Sequence, residues 1–424
     1  MDDTLYWIWL SLCCTPDSST FPKLLERFSD AKQVYDATDK EISSCIGYNS
    51  SDRNAILKRE LERAQNVYEF CKKRGVGILT YASERYPASL RSIKTPPVLL
   101  YYRGTLPDFD KLFLVSVVGT RSLSDYGRKY AFKISYDLAS AGATVVSGMA
   151  MGIDGVALAG AISAGGKTIA VLGSGIDVCY PQGHLTLARE IVKGGCIMTE
   201  YAPGTAPGKY NFPKRNRIIS GLCAATLVIE GKEKSGALIT ARCAKEQGRV
   251  LYAMPGNIGS PNSEVSNLLI KNGASLCTCA DDIVRDFEGV YPGVINPFNL
   301  SPNLRVDMMQ ELSRLSVIAV CQSDGIFNPP KNKKKASRKP KSDDVISAFD
   351  TEEPENVSTA EPPDSFDPKA LKIYKKIPIK GECSIESLVD EDTTLREVMK
   401  LLLKLEMGNF ITMLPGESVQ RKAK

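Results

Sequence analysis

Histidine is nearly missing from this chain: His184 is the one histidine among 424 residues. An ordinary Ser-His-Asp triad and a His-rich metal site are both excluded as the basis of a function on that count. The twelve cysteines are scattered and never form a C-x-x-C pair, and neither Cys13/Cys14 nor Cys277/Cys279 has zinc-knuckle spacing. They read as reduced structural thiols of a cytosolic protein. A strong excess of one charge is also lacking: 54 cations against 49 anions leave a formal net charge of +5. That permits an anionic partner without demanding one, so a nucleic-acid reading has to come from local clustering. No apolar run approaches the ~18 residues of a membrane span. The opening MDDTLYWIWLSLCC has acids where a signal peptide carries a basic segment. A soluble, cytoplasmic protein with no metal, no cofactor and no membrane partner is expected.

Four zones separate by composition and periodicity. Residues 1–100 read as a helical domain of the SAM or helix-hairpin-helix kind. In it, SDRNAILKRELERAQNVYEFCKKRG spaces its apolar residues for one helix, with Ser51 as N-cap and Gly75 as the stop. Residues 101–290 alternate apolar runs (LFLVSVVG, ATVVSG, TIAVLGSG, CIMTEY, ATLVIEG, RVLYAMPG, ASLCT) with helical segments such as YGRKYAFKISYDLASAG. Continuous β-rich runs between amphipathic helices predict an α/β fold with a mainly parallel sheet covered on both faces. Residues 291–367 are rich in Pro, Ser and charge, including PPKNKKKASRKPK, and read mostly as a flexible linker in which LRVDMMQELSRL is a candidate short helix. Residues 368–424 read as three helices followed by a two-stranded wing around PGE, a small winged-helix domain.

Three phosphate-binding signatures nearly occur. AISAGGKT lacks the first glycine of a P-loop and sits between a helix and a strand, the reverse of the required order, so its glycines are expected to end a helix. GSGIDV has Val178 where a dinucleotide fingerprint needs glycine. PGNIGSPNSE is similar to a phosphoribohydrolase signature broken at Asn257 and Ser260.

What remains is a ring of loops at the strand ends: GTR, SGMAMGID, GSG, KYNFPKRNR and KEKSGALITAR. Ligands of open α/β sheets bind at that edge, and Gly/Ser turns entering helices present N–H groups to phosphate. Arg121, Lys209, Lys214, Arg215, Arg217 and Lys234 supply counter-charge along an extended track, which suits a polyanion backbone better than a single phosphate. Phe212 either stacks a nucleobase, without regard to sequence, or plugs the underside of its loop. Arg217 either faces the ligand or pairs with Glu200 or Glu230.

In their order, SVVGTRSLSDYG, VVSGMAMGID, AVLGSGIDVCYP, NFPKRNRIISGL, VIEGKEKSGALITA and AMPGNIGSP resemble the DNA-processing protein A (DprA/Smf) family, as does the lead-in ILTYASERYPASLRSIKTPPVLLYYRG. The similarity covers about residues 75–285. It implies an extended Rossmann-like core that binds single-stranded DNA without sequence preference and without catalysis. It also implies a homodimer that helps load the RecA recombinase onto strands covered by single-strand-binding protein, in natural transformation and recombination. Carried over by position, the DNA-binding residues are Gly119, Arg121, Ser147, Gly148, Gly173, Ser174, Gly175, Lys209, Phe212, Lys214, Arg215, Asn216, Arg217, Ser235, Gly236 and Thr240. His184 departs from the family, where asparagine is commoner, and is expected to pack a helix start. The competing expectation is a nucleoside-monophosphate phosphoribohydrolase-like enzyme using the same glycine-rich pocket.

Overall fold

The structure is a computed structural model, and it describes residues 3–48, 50–233, 235–300, 304–317, 367–378, 382–389, 395–407, 410–414 and 418–421. The chain divides into two units, Met1–Phe349 and Asp350–Lys424.

The first unit is organised by a nine-stranded sheet. Its strands are β1 (Gly77–Thr80), β2 (Leu99–Gly104), β3 (Leu114–Val118), β4 (Thr144–Ser147), β5 (Thr168–Val171), β6 (Cys196–Thr199), β7 (Ala225–Val228), β8 (Val250–Ala253) and β9 (Ser275–Leu276), in the order β1-β2-β6-β5-β4-β3-β7-β8-β9. The seven apolar runs become β3 to β9, all parallel, while β1 and β2 add an antiparallel edge. The boundary expected at residue 100 therefore falls inside β2, and the sheet starts at Gly77. β1 and β2 lie between helices in a stretch dominated by prolines and charges, which hid their short extended runs.

Alternate side chains of the central strands feed two separate cores, so both faces are dry there, while β9 at the edge is exposed. Val115, Val117, Val145 and Leu227 join one cluster, and Leu114, Val118, Val146 and Val228 join the other. The first cluster is closed by six N-terminal helices, α1 (Thr4–Cys13), α2 (Thr20–Leu25), α3 (Ala31–Asp36), α4 (Asp39–Cys45), α5 (Ser51–Lys58) and α6 (Glu62–Lys73), together with α8 (Asp125–Ser140), α9 (Ile153–Ser163) and α10 (Leu185–Gly194). The short α7 (Ala88–Arg91), α11 (Asn211–Leu222), α12 (Gly236–Glu246) and α13 (Glu264–Lys271) close the second. The single helix expected over 51–75 is two: Arg59 takes a left-handed φ of 51°, ending α5, and its guanidinium is held by the carbonyls of Tyr35 and Ala37. The glycines of AISAGGKT do end a helix, Gly165 at φ 74° closing α9.

Part of the segment expected as linker, residues 304–317, is folded onto the first unit. After α14 (Asp281–Phe287) the chain forms α15 (Met308–Arg314), which packs on α9: Leu312, Leu315 and Val317 are buried, and Ser163 donates to Glu311 at 3.0 Å. The basic stretch PPKNKKKASRKPK lies outside the described residues.

The second unit has its own core around Ile373, Leu402 and Leu405. It comprises α16 (Pro368–Lys376), β10 (Glu382–Ser384), a 3-10 turn (Ile385–Leu388), α17 (Leu395–Met407), β11 (Ile411–Leu414) and β12 (Ser418–Arg421). The strands form an antiparallel sheet of order β10-β12-β11. Three helices were expected ahead of the wing; among the described residues there are two and a turn, and PGE lies outside them.

Candidate functional site

From β3 the chain steps outward through β4, β5 and β6, then returns to place β7 on the other side of β3. The reversal opens a crevice at the carboxyl ends of β3 and β7, the place where open α/β sheets take ligands. A cleft of about 530 Å³ lies there. Its walls are the Gly119–Ser122 turn after β3, the start of α12 at Ser235–Gly236, and the first turns of α11.

KYNFPKRNR was expected as a loop, yet from Asn211 it is the first half of α11. Pro213 is compatible with this because N–H groups in a first helical turn have no intrahelical acceptor. Helical spacing then sorts the residues. Phe212, Arg215, Asn216 and Ile219 recur at three and four residues and line the cleft, while Lys214 and Arg217 do not. Arg217 is buried, donating to both carboxylate oxygens of Glu200 at 3.0 and 2.7 Å. Asp17, in the α1–α2 loop, adds a third carboxylate contact at 3.3 Å. Of the two partners open to Arg217, the fold uses Glu200. Glu230 instead accepts from the Ser124 amide at 3.1 Å and from its hydroxyl.

Phe212 is half-buried. It packs against the backbone of Gly173, where a Cβ would come within 2.7 Å of the ring, and it also lines the cleft. The Arg121 guanidinium lies 5.0 Å from its centroid and the Tyr180 ring 5.4 Å away. Arg215 is buried beneath, donating to Gly148 O at 2.8 Å, to Val171 O, and to Asn216 Oδ1 at 3.2 Å. A Cβ at Gly148 would stand 2.5 Å from that guanidinium, so glycine there is what admits it. Burial pulls the Arg215 pKa down to about 10, against the favourable charge of Asp154. Asp154, buried in the first turn of α9, has its own pKa raised by burial, opposed by Arg215 and Arg121 and by amide hydrogen bonds that include Gly148 N at 3.2 Å.

Nine of the sixteen sequence-assigned residues line the cleft: Gly119, Arg121, Lys209, Phe212, Arg215, Asn216, Ser235, Gly236 and Thr240. Ser235 is the N-cap residue of α12 and its Oγ is buried without a partner; Asn216 donates to Gly236 O at 3.3 Å. The others sit elsewhere. Ser147, at the end of β4, donates to Val117 O and Ser174 to Val178 O, both buried, and neither they, Gly148, Gly173, Gly175, Lys214 nor Arg217 lines the cleft. Lys234 lies outside the described residues. Lys232 and Asp154 line the cleft but were not anticipated. Lys232 stands in the quoted basic turn; Asp154 ends SGMAMGID, and an acid closing a glycine-rich turn was the signal for it.

Four cations (Arg121, Lys209, Arg215, Lys232) thus face one buried carboxylate, beside an aromatic ring and a helix start. Among the described residues neither His nor Cys lines the cleft. His184 is buried at the N-cap of α10, its Nδ1 3.0 Å from Met149 O, and burial lowers its pKa, which keeps it neutral. Burial pushes the thiols of Cys71, Cys179 and Cys196 up to about 12. The arrangement can hold anionic oxygens and a flat ring.

Residues 77–288 match the family described as DNA recombination-mediator protein A. The DNA processing protein DprA of Bacillus subtilis is 38% identical over 236 residues, 55% of this chain and 80% of that relative. The protein Smf of Escherichia coli is 43% identical over 207 residues, 49% of this chain, and the chain spans 55% of that relative's length. The X-ray structure of DNA processing protein A from Streptococcus pneumoniae has 34% identity and a TM-score of 0.59, over 67% of this chain and 98% of that one.

Proposed function

The chain belongs to the DNA recombination-mediator protein A family, and from that premise we propose that it holds single-stranded DNA in the cleft between β3 and β7 without acting on it chemically. One observation carries the reading: four cations, the Phe212 ring and the start of α12 converge on a single cleft at the strand ends. Phosphates meet Arg121, Lys209, Arg215 and Lys232, and a base meets Phe212 whatever its identity. The finer role is that of a cytoplasmic homodimer that delivers strands covered by single-strand-binding protein to RecA, during recombination and the uptake of transforming DNA. The family description as a recombination mediator supports that role, and a RecA-loading assay on covered strands tests it.

The test of binding is an oligo-dT titration at two salt concentrations with wild type and Phe212→Ala. Affinity should fall with salt with a log–log slope of about −0.7 per phosphate held. Loss of the ring should cost about 1–3 kcal/mol of binding while the fold survives. Salt-independent binding of a mononucleotide with no binding of oligo-dT would overturn the reading in favour of the phosphoribohydrolase-like one.

A further inference from the structure

The helix α8 opens with Asp125-Tyr-Gly-Arg-Lys-Tyr130, and the rings of Tyr126 and Tyr130 lie 4.7 Å apart between centroids, tilted by 54°. Tyr126 is 42% exposed, although its hydroxyl is tied to Pro255 O at 2.8 Å. That bond spans a second cavity of about 370 Å³, large enough for a small ligand, with Ser124, Tyr126, Glu230, Asn257, Ser260 and Ser263 on its walls. The wall opposite α8 is the Pro255–Ser260 turn, which carries Ile258 fully exposed to solvent. Only Leu123 separates Ser122, on the rim of the main cleft, from Ser124, on the rim of this one. Asn262 bridges the two, donating to Ser122 O at 3.1 Å and to Glu230 Oε2 at 3.4 Å.

We propose that this cavity is a second base-stacking subsite on the same single strand, with Tyr126 as its aromatic wall and Tyr130, half-buried beside it on α8, as that wall's support. The inference rests on the reading of the main cleft as a single-strand site. Chemistry decides which part of a nucleotide enters. The Glu230 carboxylate at the floor disfavours a phosphate, and Gly127 leaves it room there, since a Cβ would lie 2.3 Å from Glu230 Oε2. An aromatic wall with neutral hydroxyl and amide neighbours suits the face and edge of a base. Lys129 is exposed, its ammonium 5.6 Å from the Tyr130 ring, and it stands outside the cavity rim to meet the backbone phosphate. Arg128 is already engaged by Asp125 at 2.7 Å, so Lys129 is the cation this end of the track offers. A strand crossing from Phe212 over Arg121 and Ser122 therefore meets a second aromatic surface one turn further along the sheet edge.

Oligo-dT of two lengths separates this inference from its premise: about 4 nucleotides and about 16, the span of site sizes for grooves of this kind. In Tyr126→Ala/Tyr130→Ala the short oligomer should bind as it does to wild type, while the long one loses affinity about fivefold or more, the loss of one stacked base. Tyr126→Phe removes only the hydroxyl bond and should keep the long-oligomer affinity, which a purely structural role for Tyr126 would not allow. If the double variant binds both lengths like wild type, or loses both equally, the second subsite is wrong, while Phe212→Ala still weakening the short oligomer leaves the main cleft standing. If Phe212→Ala leaves both lengths unchanged, the main-cleft reading fails and takes this one with it.

Discussion

Arg215 and Arg217 stand two residues apart on α11, both buried, and the fold treats them in opposite ways. Burial works against the charge of each. At Arg217 that penalty is outweighed by Glu200 and Asp17, and its pKa is raised. At Arg215 burial wins and the pKa falls to about 10, because its hydrogen bonds go to neutral carbonyls and its nearest countercharge, Asp154, is itself disfavoured as an anion. One arginine is neutralised within the protein and the other is left short of negative charge beside an open cleft. The proposed anion site lies where a buried cation has not been given a full countercharge.

Breaking the pair at Arg217 gives the largest expected effect. Arg217→Met leaves Glu200 and Asp17 facing an apolar side chain, and loss of one member of a buried ion pair costs about 3–5 kcal/mol of stability. Urea unfolding measures it, and adding Glu200→Gln should recover part of the loss. Because Arg217 also ties the α1–α2 loop to α11, limited proteolysis near Asp17 should speed up. Oligo-dT affinity of the folded fraction should stay close to wild type. A large loss of affinity with unchanged stability would mean that Arg217, and not Arg215, is the ligand's cation.

Arg215→Met should show the reverse dissociation. Stability should fall by less than in Arg217→Met, because the substitution removes a charge the interior disfavours while Gly148 O and Val171 O lose a donor. Binding of oligo-dT should weaken by about 1.5–3 kcal/mol, the worth of a charged hydrogen bond to a phosphate oxygen. Equal binding by this variant and wild type would remove Arg215 from the interface and leave Arg121, Lys209 and Lys232 to carry the charge.

The sheet was legible in the sequence because its parallel strands appear as unbroken apolar runs, those of the centre being buried on both faces. β3 to β9 could all be found that way. β1 and β2 could not, since GILT and LLYYRG sit among turn residues and form an antiparallel edge. Of the site, the loops could be placed from their glycines, and Arg121 and Phe212 from the basic and aromatic clustering. The orientation of α11 was the missing piece. Read as a loop, KYNFPKRNR offers every cation to the ligand; read as a helix, it assigns Arg215 inward to the cleft and Arg217 to Glu200. Pro213 masked the helix, although a first-turn proline is compatible with one. Glycines such as Gly148 and Gly173 looked like phosphate cradles, whereas their lack of a Cβ makes room for Arg215 and Phe212. Such a role depends on what packs behind the glycine, and a neighbour sixty-seven residues away in sequence is not written in the motif.

Asp154 offers the smallest and most specific way to sharpen the contrast between the two arginines. Its pKa is raised by burial, so in the folded protein it takes up a proton at a higher pH than an ordinary aspartate near 3.9. An acid with a raised folded pKa binds its proton more readily folded than unfolded. Its contribution therefore favours the folded state below the raised pKa and weakens as pH rises from the unfolded value through the folded one. The same proton removes the one negative charge that lines the cleft among the described residues. Oligo-dT binding should accordingly tighten as pH is lowered from 7 toward the raised pKa of Asp154, by about 1 kcal/mol or less, the scale of a screened charge–charge interaction. Asp154→Asn should bind at pH 7 as wild type does at the lower pH and should lose that part of the pH dependence. His184, another buried titratable group, does not line the cleft, and its substitution by asparagine should leave the binding profile in place. A profile that is abolished by His184→Asn and untouched by Asp154→Asn would place the proton elsewhere, and Arg215 would then need another explanation for its missing countercharge.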